Sequence, residues 1–158
     1  MKLLVLSDSH SSLRFMRLCM DKVKPDGVIH LGDSYDDGEV LKEEYPNVLF
    51  RQVPGNCDRF RCPPYVQEIL IDRIFGVDFY LTHGHRHGVK MDLALLLRDA
   101  KAAGVQAVLY GHTHMPTYTL VQGMHIVNPG SAGQGRNRTW AKIELDDGKV
   151  KDIRLMDI

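Results

Sequence analysis

Short apolar segments alternate with helix-period patterns through the first two thirds of this 158-residue chain. Such alternation is typical of parallel strands joined by crossover helices, so it predicts an α/β fold. In one helical segment, Met16, Met20 and Val23 fall at i, i+4 and i+7 and would turn one face toward the sheet. The predicted strands cover residues 2–7, 27–31, 47–53, 68–71, 77–82 and 107–110, and the predicted helices cover residues 11–23, 38–45 and 89–103.

After Pro116 the pattern changes to short runs rich in Tyr, Thr, Val and Ile that are separated by glycines. The pair Asp147-Gly148 lies between residues 139–145 and 149–156 and predicts a two-residue hairpin turn. We therefore expect antiparallel strands that complete or flank the sheet. No internal repeat, low-complexity tract or linker interrupts the chain, so residues 1–158 are predicted to form a single domain.

The charge balance and composition limit which kinds of molecule the chain is expected to bind. The 20 basic residues balance 20 acidic ones, so the chain lacks the positive field of non-specific nucleic-acid binders, and nucleic acid is not favoured as a partner. The apolar run at the N-terminus is too short for a secretory signal, and no segment approaches a membrane span. The three cysteines, Cys19, Cys57 and Cys62, show no disulfide or zinc-site spacing. These features predict a cytoplasmic protein with no membrane partner.

Residue types that bind metals recur directly after predicted strands. Because the carboxyl ends of parallel strands open on one edge of a sheet, the usual ligand-binding edge, we expect these loops to converge. Neutral imidazole is the commonest nitrogen ligand for transition metals. The loops are Asp8-Ser9-His10, Gly32-Asp33, Gly55-Asn56-Cys57-Asp58, Thr82-His83-Gly84-His85 and Gly111-His112-Thr113-His114.

The loops with a carboxylate or an amide also have a simpler interpretation. Asp8 could cap the helix that follows it, and Gly32-Asp33 and Gly55-Asn56 are common turn compositions. The paired histidines are harder to explain as turns, because two imidazoles two residues apart on an extended loop can face one pocket.

Other histidines and a glycine-rich stretch are interpreted differently. His30, His87 and His125 lie inside strands or near a helix start, which favours core or surface roles. The glycines of residues 128–135 lack the G-x-G-x-x-G order of a dinucleotide site. This stretch is predicted to form a close-packed turn that borders the metal site.

Taken in order, these motifs resemble those of the calcineurin-like metallophosphoesterase superfamily. Each motif is weak alone, but five in the family's order are a specific signal. With its short length, the chain is most similar to the small YfcE-like phosphodiesterase branch, and this resemblance implies a single-domain, four-layer α/β/β/α sandwich with mixed sheets. The five matching motifs are D-x-H from Asp8, G-D-x-x-D around Asp33, G-N-x-D around Asn56, T-H-G-H around His83 and G-H-T-H-x-P around His112, and N-P-G-S at residues 128–131 extends the match.

The resemblance also implies a two-metal centre. It implies that Asp8, His10 and His114 hold one ion, that Asn56, His83 and His112 hold the other, and that Asp33 bridges them. Asp36, which completes G-D-x-x-D, is not expected to bind metal. It is expected either to contact the metal ligands or to cap a helix. This shell suits Mn²⁺, the expected ion, with Ni²⁺, Fe²⁺, Co²⁺ or Zn²⁺ as alternatives that ligand type does not separate. Two such ions would activate a shared water as hydroxide, so hydrolysis of a phosphodiester needs no protein nucleophile.

One position departs from the pattern of many relatives, which carry His after the motif Asn. Here Cys57 follows Asn56. A thiol with an unperturbed pKa of about 8.5 is a poorer general acid than imidazolium, so we expect a preference for good leaving groups and for diesters over alkyl monoesters. A space-filling role for Cys57 is the alternative. Asn56, Cys57 and His85 are the expected catalytic positions. Arg59 or Arg136 could add substrate contacts, although a surface role is favoured for either arginine.

Three functions compete within this resemblance. The leading prediction is a phosphodiesterase that acts on a small phosphodiester or nucleotide-like substrate. Phosphomonoesterases and nucleases share the fold, and so does a retromer subunit that serves as a non-catalytic, protein-binding scaffold. All seven ligand positions are present here, which favours an enzyme. The family also allows a homo-oligomer, which no apolar stripe in this sequence demands.

Overall fold

The computed structural model describes residues 1–158 and contains ten strands and three α-helices. None of the helices has the length and apolar character needed to span a membrane. The elements are β1 (Lys2–Leu6), α1 (Leu13–Val23), β2 (Gly27–His30), α2 (Tyr35–Glu44), β3 (Leu49–Gln52), β4 (Ile69–Ile74), β5 (Val77–Thr82), α3 (Ala94–Ala103), β6 (Ala107–Leu109), β7 (Thr117–Val121), β8 (Met124–Asn128), β9 (Thr139–Asp146) and β10 (Lys149–Asp157).

The strands form two five-stranded mixed sheets. The first has the order β10-β9-β1-β2-β3 and the second has the order β4-β5-β6-β8-β7. Strands β1, β2 and β3 are parallel in the first sheet, and β5, β6 and β8 are parallel in the second. The carboxyl ends of each parallel set therefore lie on one edge of its sheet, where ligands usually bind.

Side-chain alternation along β1 shows how the layers stack. Leu3 and Val5 pack into the core between the two sheets, whereas Leu4 and Leu6 pack with α1 and α2 on the opposite face. Helix α3 covers the outer face of the second sheet, where Leu96 is fully buried. The predicted four-layer α/β/β/α sandwich is confirmed.

The strands of the C-terminal third are divided between the two sheets and do not all join the same sheet. Strands β7 and β8 belong to the second sheet, and β9 and β10 complete the first. The predicted hairpin turn is confirmed: Asp147 and Gly148 have φ values of 50° and 69°, as a type I′ turn requires. The prediction missed the division because strand periodicity does not specify which sheet a strand joins.

Helix α2 begins at Tyr35, three residues before the predicted start at residue 38. The backbone NH groups of Ser34 and Tyr35 donate to Oδ1 of Asp58 at 2.8 and 2.9 Å. A carboxylate from a distant loop thus satisfies the free NH groups at this helix N-terminus, a role that local capping residues usually fill. The earlier start depends on tertiary contact.

Helix α3 begins at Ala94, five residues after the predicted start at residue 89. The N-cap residue is Leu93, which makes no capping hydrogen bond, and the carboxylate of Asp92 accepts the NH of Ala94 at 2.9 Å in a local turn just before the helix. Helix propensity alone extended the prediction too far toward the N-terminus, because propensity is a weak guide that the surrounding tertiary structure overrides.

Candidate metal centre

Side chains from five strand-end loops meet where the carboxyl edges of the two sheets approach each other. His83, which follows β5, is fully buried. Its Nε2 lies 3.0 Å from Asn56 Oδ1 and 3.5 Å from Asp33 Oδ2, both from the first sheet. The same nitrogen lies 3.2 Å from Nδ1 of His112. Nitrogen and oxygen donors from both sheets therefore face one small volume.

A second group of donors surrounds Asp8, which is fully buried at the end of β1. Its Oδ1 lies 3.0 Å from His114 Nε2 and 4.0 Å from His10 Nε2. It is also 3.8 Å from Nε2 of His83, which belongs to the first group. His10 Nε2 in turn lies 3.9 Å from Asp33 Oδ2. The two groups adjoin, and together they contain all seven ligands predicted from the sequence.

The spacing of these atoms fits divalent cations. Metal–ligand bonds of about 2.0–2.2 Å place two ligands of one ion within about 4.4 Å of each other. Asp8 Oδ1 lies 4.0 Å from His10 Nε2, 3.0 Å from His114 Nε2 and 3.8 Å from His83 Nε2, and Asp33 Oδ2 lies 3.5 Å from His83 Nε2, so these separations fall below that limit. Nε2 of His10 is buried and has no hydrogen-bond partner. An unpaired buried polar atom costs about 1–3 kcal/mol, and a bound cation would satisfy it.

The hydrogen bond behind His83 prepares its ring for a cation. Nδ1 of His83 lies 2.6 Å from the carbonyl oxygen of Leu31, which can only accept, so Nδ1 carries the proton. Nε2 therefore presents its lone pair to the donor cluster. Such a bond fixes the tautomer and orientation of metal-binding histidines.

Backbone conformation also marks these loops. Five of the seven predicted ligands have positive φ: Asp8 at 53°, His10 at 43°, Asp33 at 59°, His112 at 69° and His114 at 59°. A non-glycine residue in this region costs about 1–3 kcal/mol and persists where the surrounding structure enforces it. Such residues cluster at functional sites, and here they coincide with the donor cluster.

Asp58 organises two of the ligand loops, a role that the sequence did not reveal. Its buried carboxylate accepts the NH groups of Asp33 at 2.8 Å and of Gly55 at 2.7 Å through Oδ2, besides the two helix NH groups on Oδ1. It therefore ties the loop that carries Asp33 to the loop that carries Asn56. The G-N-x-D motif contained the signal, but only the structure shows what the last carboxylate binds.

A glycine-rich turn borders the site, as predicted, and supports the loop of Asp8. The hydroxyl of Ser131 donates to the carbonyl oxygen of Asp8 at 2.9 Å, and Ser7 donates to its carboxylate at 2.5 Å. A side chain at Gly133 would collide with the carbonyl oxygen of Ser9.

Asp8 makes no capping hydrogen bond to α1, so its simpler interpretation as a helix cap is wrong.

Cys57 and His85 lie at the rim of the cluster. Cys57 is exposed, and its backbone NH donates to Asp33 Oδ1 at 2.9 Å. Partial burial, followed by the charge of Asp33, raises the pKa of the Cys57 thiol. The ring of His85 lies 5.5 Å from that of His83, and burial followed by this neighbour lowers the pKa of His85. The thiol is therefore protonated and the imidazole neutral near pH 7.

Several other polar residues lie outside the cluster. His30 is fully buried against a serine hydroxyl, and burial lowers its pKa to about 4. His87 and His125 each hydrogen-bond a tyrosine. Asp36 is exposed in the first turn of α2 and makes an ion pair with an arginine. Arg136 lines a separate surface cavity, so it does not contact this site.

The carboxylate, amide and imidazole donors that the paired sheets bring to one edge form a candidate site for divalent metal ions. Residues 1–148 match the profile of the calcineurin-like phosphoesterase superfamily domain, and the chain belongs to this family.

Relatives and solved structures agree with this assignment. The chain is 31% identical over 159 residues to a probable metallophosphoesterase of Mycoplasma pneumoniae. This alignment covers 96% of the chain and 94% of the relative. It is 26% identical to phosphodiesterase YfcE of Escherichia coli, over 97% of this chain and 91% of that one. A predicted phosphoesterase of Streptococcus pneumoniae has a crystal structure with a TM-score of 0.80 and 27% identity, covering 99% of this chain and 88% of that one.

The same fold occurs in Vps29. The structure of Vps29 from Entamoeba histolytica complexed with Zn²⁺ has a TM-score of 0.73 and 21% identity, covering 99% of both chains. At this identity the likeness shows a shared fold alone. The predicted family is confirmed, and the more closely related proteins are named as metallophosphoesterases and phosphodiesterases.

Proposed function

We propose that this chain is a two-metal phosphodiesterase, which adds water to a phosphodiester and releases a phosphomonoester and an alcohol. The observation that carries the proposal is the convergence of all seven predicted nitrogen and oxygen donors at the edge shared by the two sheets. Asn56 and Cys57 are exposed, so the cluster is open to a ligand on that side.

Asp33 is the residue proposed to join the two metal positions. Its Oδ2 lies between the groups, 3.9 Å from His10 Nε2 and 3.5 Å from His83 Nε2. Burial raises the pKa of Asp33, but the neighbouring His83 and the NH of Cys57 outweigh it, so the net pKa is lowered and the carboxylate is ionised at neutral pH. The proposed ligands are Asp8, His10 and His114 for one ion and Asn56, His83 and His112 for the other, with Asp33 shared.

Mn²⁺ is the proposed ion. When bound, such ions would lower the pKa of water, so that it could act as a nucleophile at neutral pH, and would neutralise charge on the phosphoryl group. The protein itself orients the side chains that would bind the ions. His83 is held by Leu31, and Asp33 and Asn56 are held by the loops that Asp58 joins, so the donors are fixed before substrate arrives.

Cys57 shapes the preference for leaving groups. The departing oxygen needs a proton unless its conjugate acid is already strong, and the raised pKa of Cys57 makes its thiol a weak donor. His85 is neutral near pH 7 and is likewise a poor acid. We therefore expect fast cleavage of aryl and other activated diesters and slow cleavage of alkyl monoesters.

The test compares a ligand variant with a matched histidine variant. The protein is stripped with a chelator, loaded with Mn²⁺, and assayed with bis(4-nitrophenyl) phosphate, while metal content is measured by elemental analysis. His112→Asn should lower both metal content and kcat/KM, the latter by about 100-fold or more, since even residues behind the ligands matter by 10–100-fold. His125→Asn removes an imidazole outside the cluster and should leave both values unchanged.

The rival functions give different results in the same experiment. A phosphomonoesterase would cleave 4-nitrophenyl phosphate faster than the diester, and a nuclease would cleave single-stranded DNA. A scaffold of the kind that shares this fold would cleave none of them. Less than one metal per chain after loading, together with no diester cleavage, refutes the proposal.

A further inference from the structure

Most arginines of the chain pair with a carboxylate, but four do not. Of the 11 arginines, seven lie within ion-pair distance of an aspartate or a glutamate. One of the other four, Arg59, lies beside the donor cluster. The remaining three, Arg14, Arg136 and Arg138, all line one surface depression next to helix α1. The cations without an acidic partner are therefore concentrated at one place.

The depression has no acidic side chain in its lining. Besides the three arginines it is lined by Phe15, Leu18 and Ile158, and none of the seven donors of the metal centre is among these residues. A guanidinium group is always protonated in proteins, so the three positive charges repel one another. An anion held between them would offset this repulsion.

Aromatic packing holds Arg138 in place. Its guanidinium carbon lies 5.4 Å from the ring centre of Phe15, which is buried in the first turn of α1. The ring of Phe15 packs edge-on against the buried ring of Trp140, with the ring centres 5.8 Å apart. A guanidinium that lies over an aromatic ring keeps its NH groups free to bind a phosphate or a carboxylate. Arg138 is thus oriented before a ligand arrives.

Arg136 belongs to a loop that is anchored at both ends. The backbone NH of Thr139 donates to the carbonyl oxygen of Ser131 at 2.9 Å and closes the loop. At its start, the NH of Gly133 donates to the carbonyl oxygen of Asp8 at 3.1 Å. The loop is therefore fixed against the segment that follows β1, and it places two arginines beside the first turn of α1, which carries the third.

The extent of the depression and its apolar residues indicate the kind of ligand. The chain has no net charge and the cluster is local, so an extended polyanion would find no continuous track of cations. A compact anion fits better, and phosphate oxygens match the planar fork of a guanidinium through paired hydrogen bonds. Leu18 is 45% exposed and Ile158 is 59% exposed beside these charges. An organic group attached to the phosphate would cover this apolar surface.

We propose that this depression is a second binding site, separate from the metal centre, for a small organic phosphate. The phosphoryl group binds among Arg14, Arg136 and Arg138, and the organic group contacts Leu18 and Ile158. The three arginines are exposed, so the affinity is modest and falls as the salt concentration rises. The site is independent of the two-metal function, because it shares no residue with the donor cluster.

Calorimetric titration of the metal-free protein with phenyl phosphate tests the site without turnover. Arg14→Gln and Arg136→Gln each remove one charge at an exposed position and should weaken binding about tenfold. Urea denaturation checks that both variants remain folded. Arg98→Gln removes a cation that pairs with Asp99 on α3 and should leave the affinity unchanged. His112→Asn removes a donor of the metal centre and should also bind phenyl phosphate like the unmodified chain.

A comparison of anions tests the role of the organic group. At constant ionic strength, phenyl phosphate should bind about threefold or more tightly than inorganic phosphate or sulfate, because its ring removes apolar surface from water. Leu18→Ser should remove this advantage while leaving the affinity for inorganic phosphate unchanged.

Three outcomes would overturn the proposal. Equal affinity for the three anions, or arginine variants that bind like the unmodified chain, would indicate an adventitious ion only. Loss of binding in His112→Asn would place the ligand at the metal centre. Binding of a single-stranded oligonucleotide without binding of phenyl phosphate would indicate a surface for polyanions. The titrations involve no catalysis, so each of these results leaves the proposed phosphodiesterase function standing, and a failure to cleave diesters leaves the second site standing.

Discussion

Replacing Asp58 by Asn should destabilise the protein and weaken metal binding together. Oδ1 accepts the NH groups of Ser34 and Tyr35, and Oδ2 accepts those of Asp33 and Gly55, all at 2.7–2.9 Å. The amide of Asn offers one oxygen and one NH₂ group, so two backbone NH groups would face a donor. Each unpaired buried group costs about 1–3 kcal/mol, which gives a loss of about 2–6 kcal/mol.

The magnitude is measurable because small domains usually have a free energy of unfolding of about 5–15 kcal/mol. Urea denaturation of the metal-free Asp58→Asn variant gives the loss in stability, and calorimetric titration with Mn²⁺ gives the affinity. We expect the affinity to fall about 10–100-fold, because the loops that carry Asp33 and Asn56 lose their common anchor.

Asp36→Asn is the matched control for this substitution. Asp36 makes an exposed ion pair with Arg61, and such pairs contribute about 0–1 kcal/mol. The control should therefore differ little from the unmodified chain in stability or in Mn²⁺ affinity. A loss below about 1 kcal/mol in Asp58→Asn, with unchanged Mn²⁺ affinity, would refute the anchoring role.

Three further results are expected. Removing Mn²⁺ with a chelator should lower the free energy of unfolding by about 2.7 kcal/mol relative to protein at a metal concentration 100 times Kd, and calorimetry that shows equal melting temperatures would contradict a bound ion. Cys57→His should raise activity most on diesters with poor leaving groups, and unchanged relative rates across a leaving-group series would count against a role in protonation. The pKa of His30 is lowered to about 4, so unfolding takes up a proton below pH 6.5. The free energy of unfolding should therefore fall by about 3 kcal/mol as the pH drops from 6.5 to 4. Urea denaturation at each pH should show a shallower fall for the metal-free His30→Asn variant.

Much of the fold could be predicted because local chemistry and tertiary packing agree. The helix spacing of Met16 and Met20 predicted a buried face, and both side chains are buried in α1. The Asp147-Gly148 turn was equally direct, since few other residue pairs adopt positive φ at two successive positions. Helix starts were less accurate, because the start of α2 depends on Asp58, which lies 23 residues after Tyr35.

The loops that carry the seven donors could be found before any coordinates because each loop follows a predicted strand, and strand ends meet at one edge. The choice of these seven residues within the loops came from the resemblance to the family's motifs. Their convergence is visible in the structure; their binding of metal remains a proposal. The contacts around the donor cluster were not predictable: Glu68 lies 3.6 Å from His85, and Arg61 donates to Ser34 at 3.1 Å, although each pair is far apart in the sequence. No periodicity encodes such loop conformations.

The sequence by itself determined the order of strands and helices and the chemical identity of the donor atoms, because both follow from residue type and short-range spacing. Only the tertiary structure decided which strands share a sheet and which backbone groups Asp58 holds together. These properties depend on contacts between residues far apart in the chain, and the free energy of such contacts is set by packing and hydrogen bonding that exist only after the two sheets have come together.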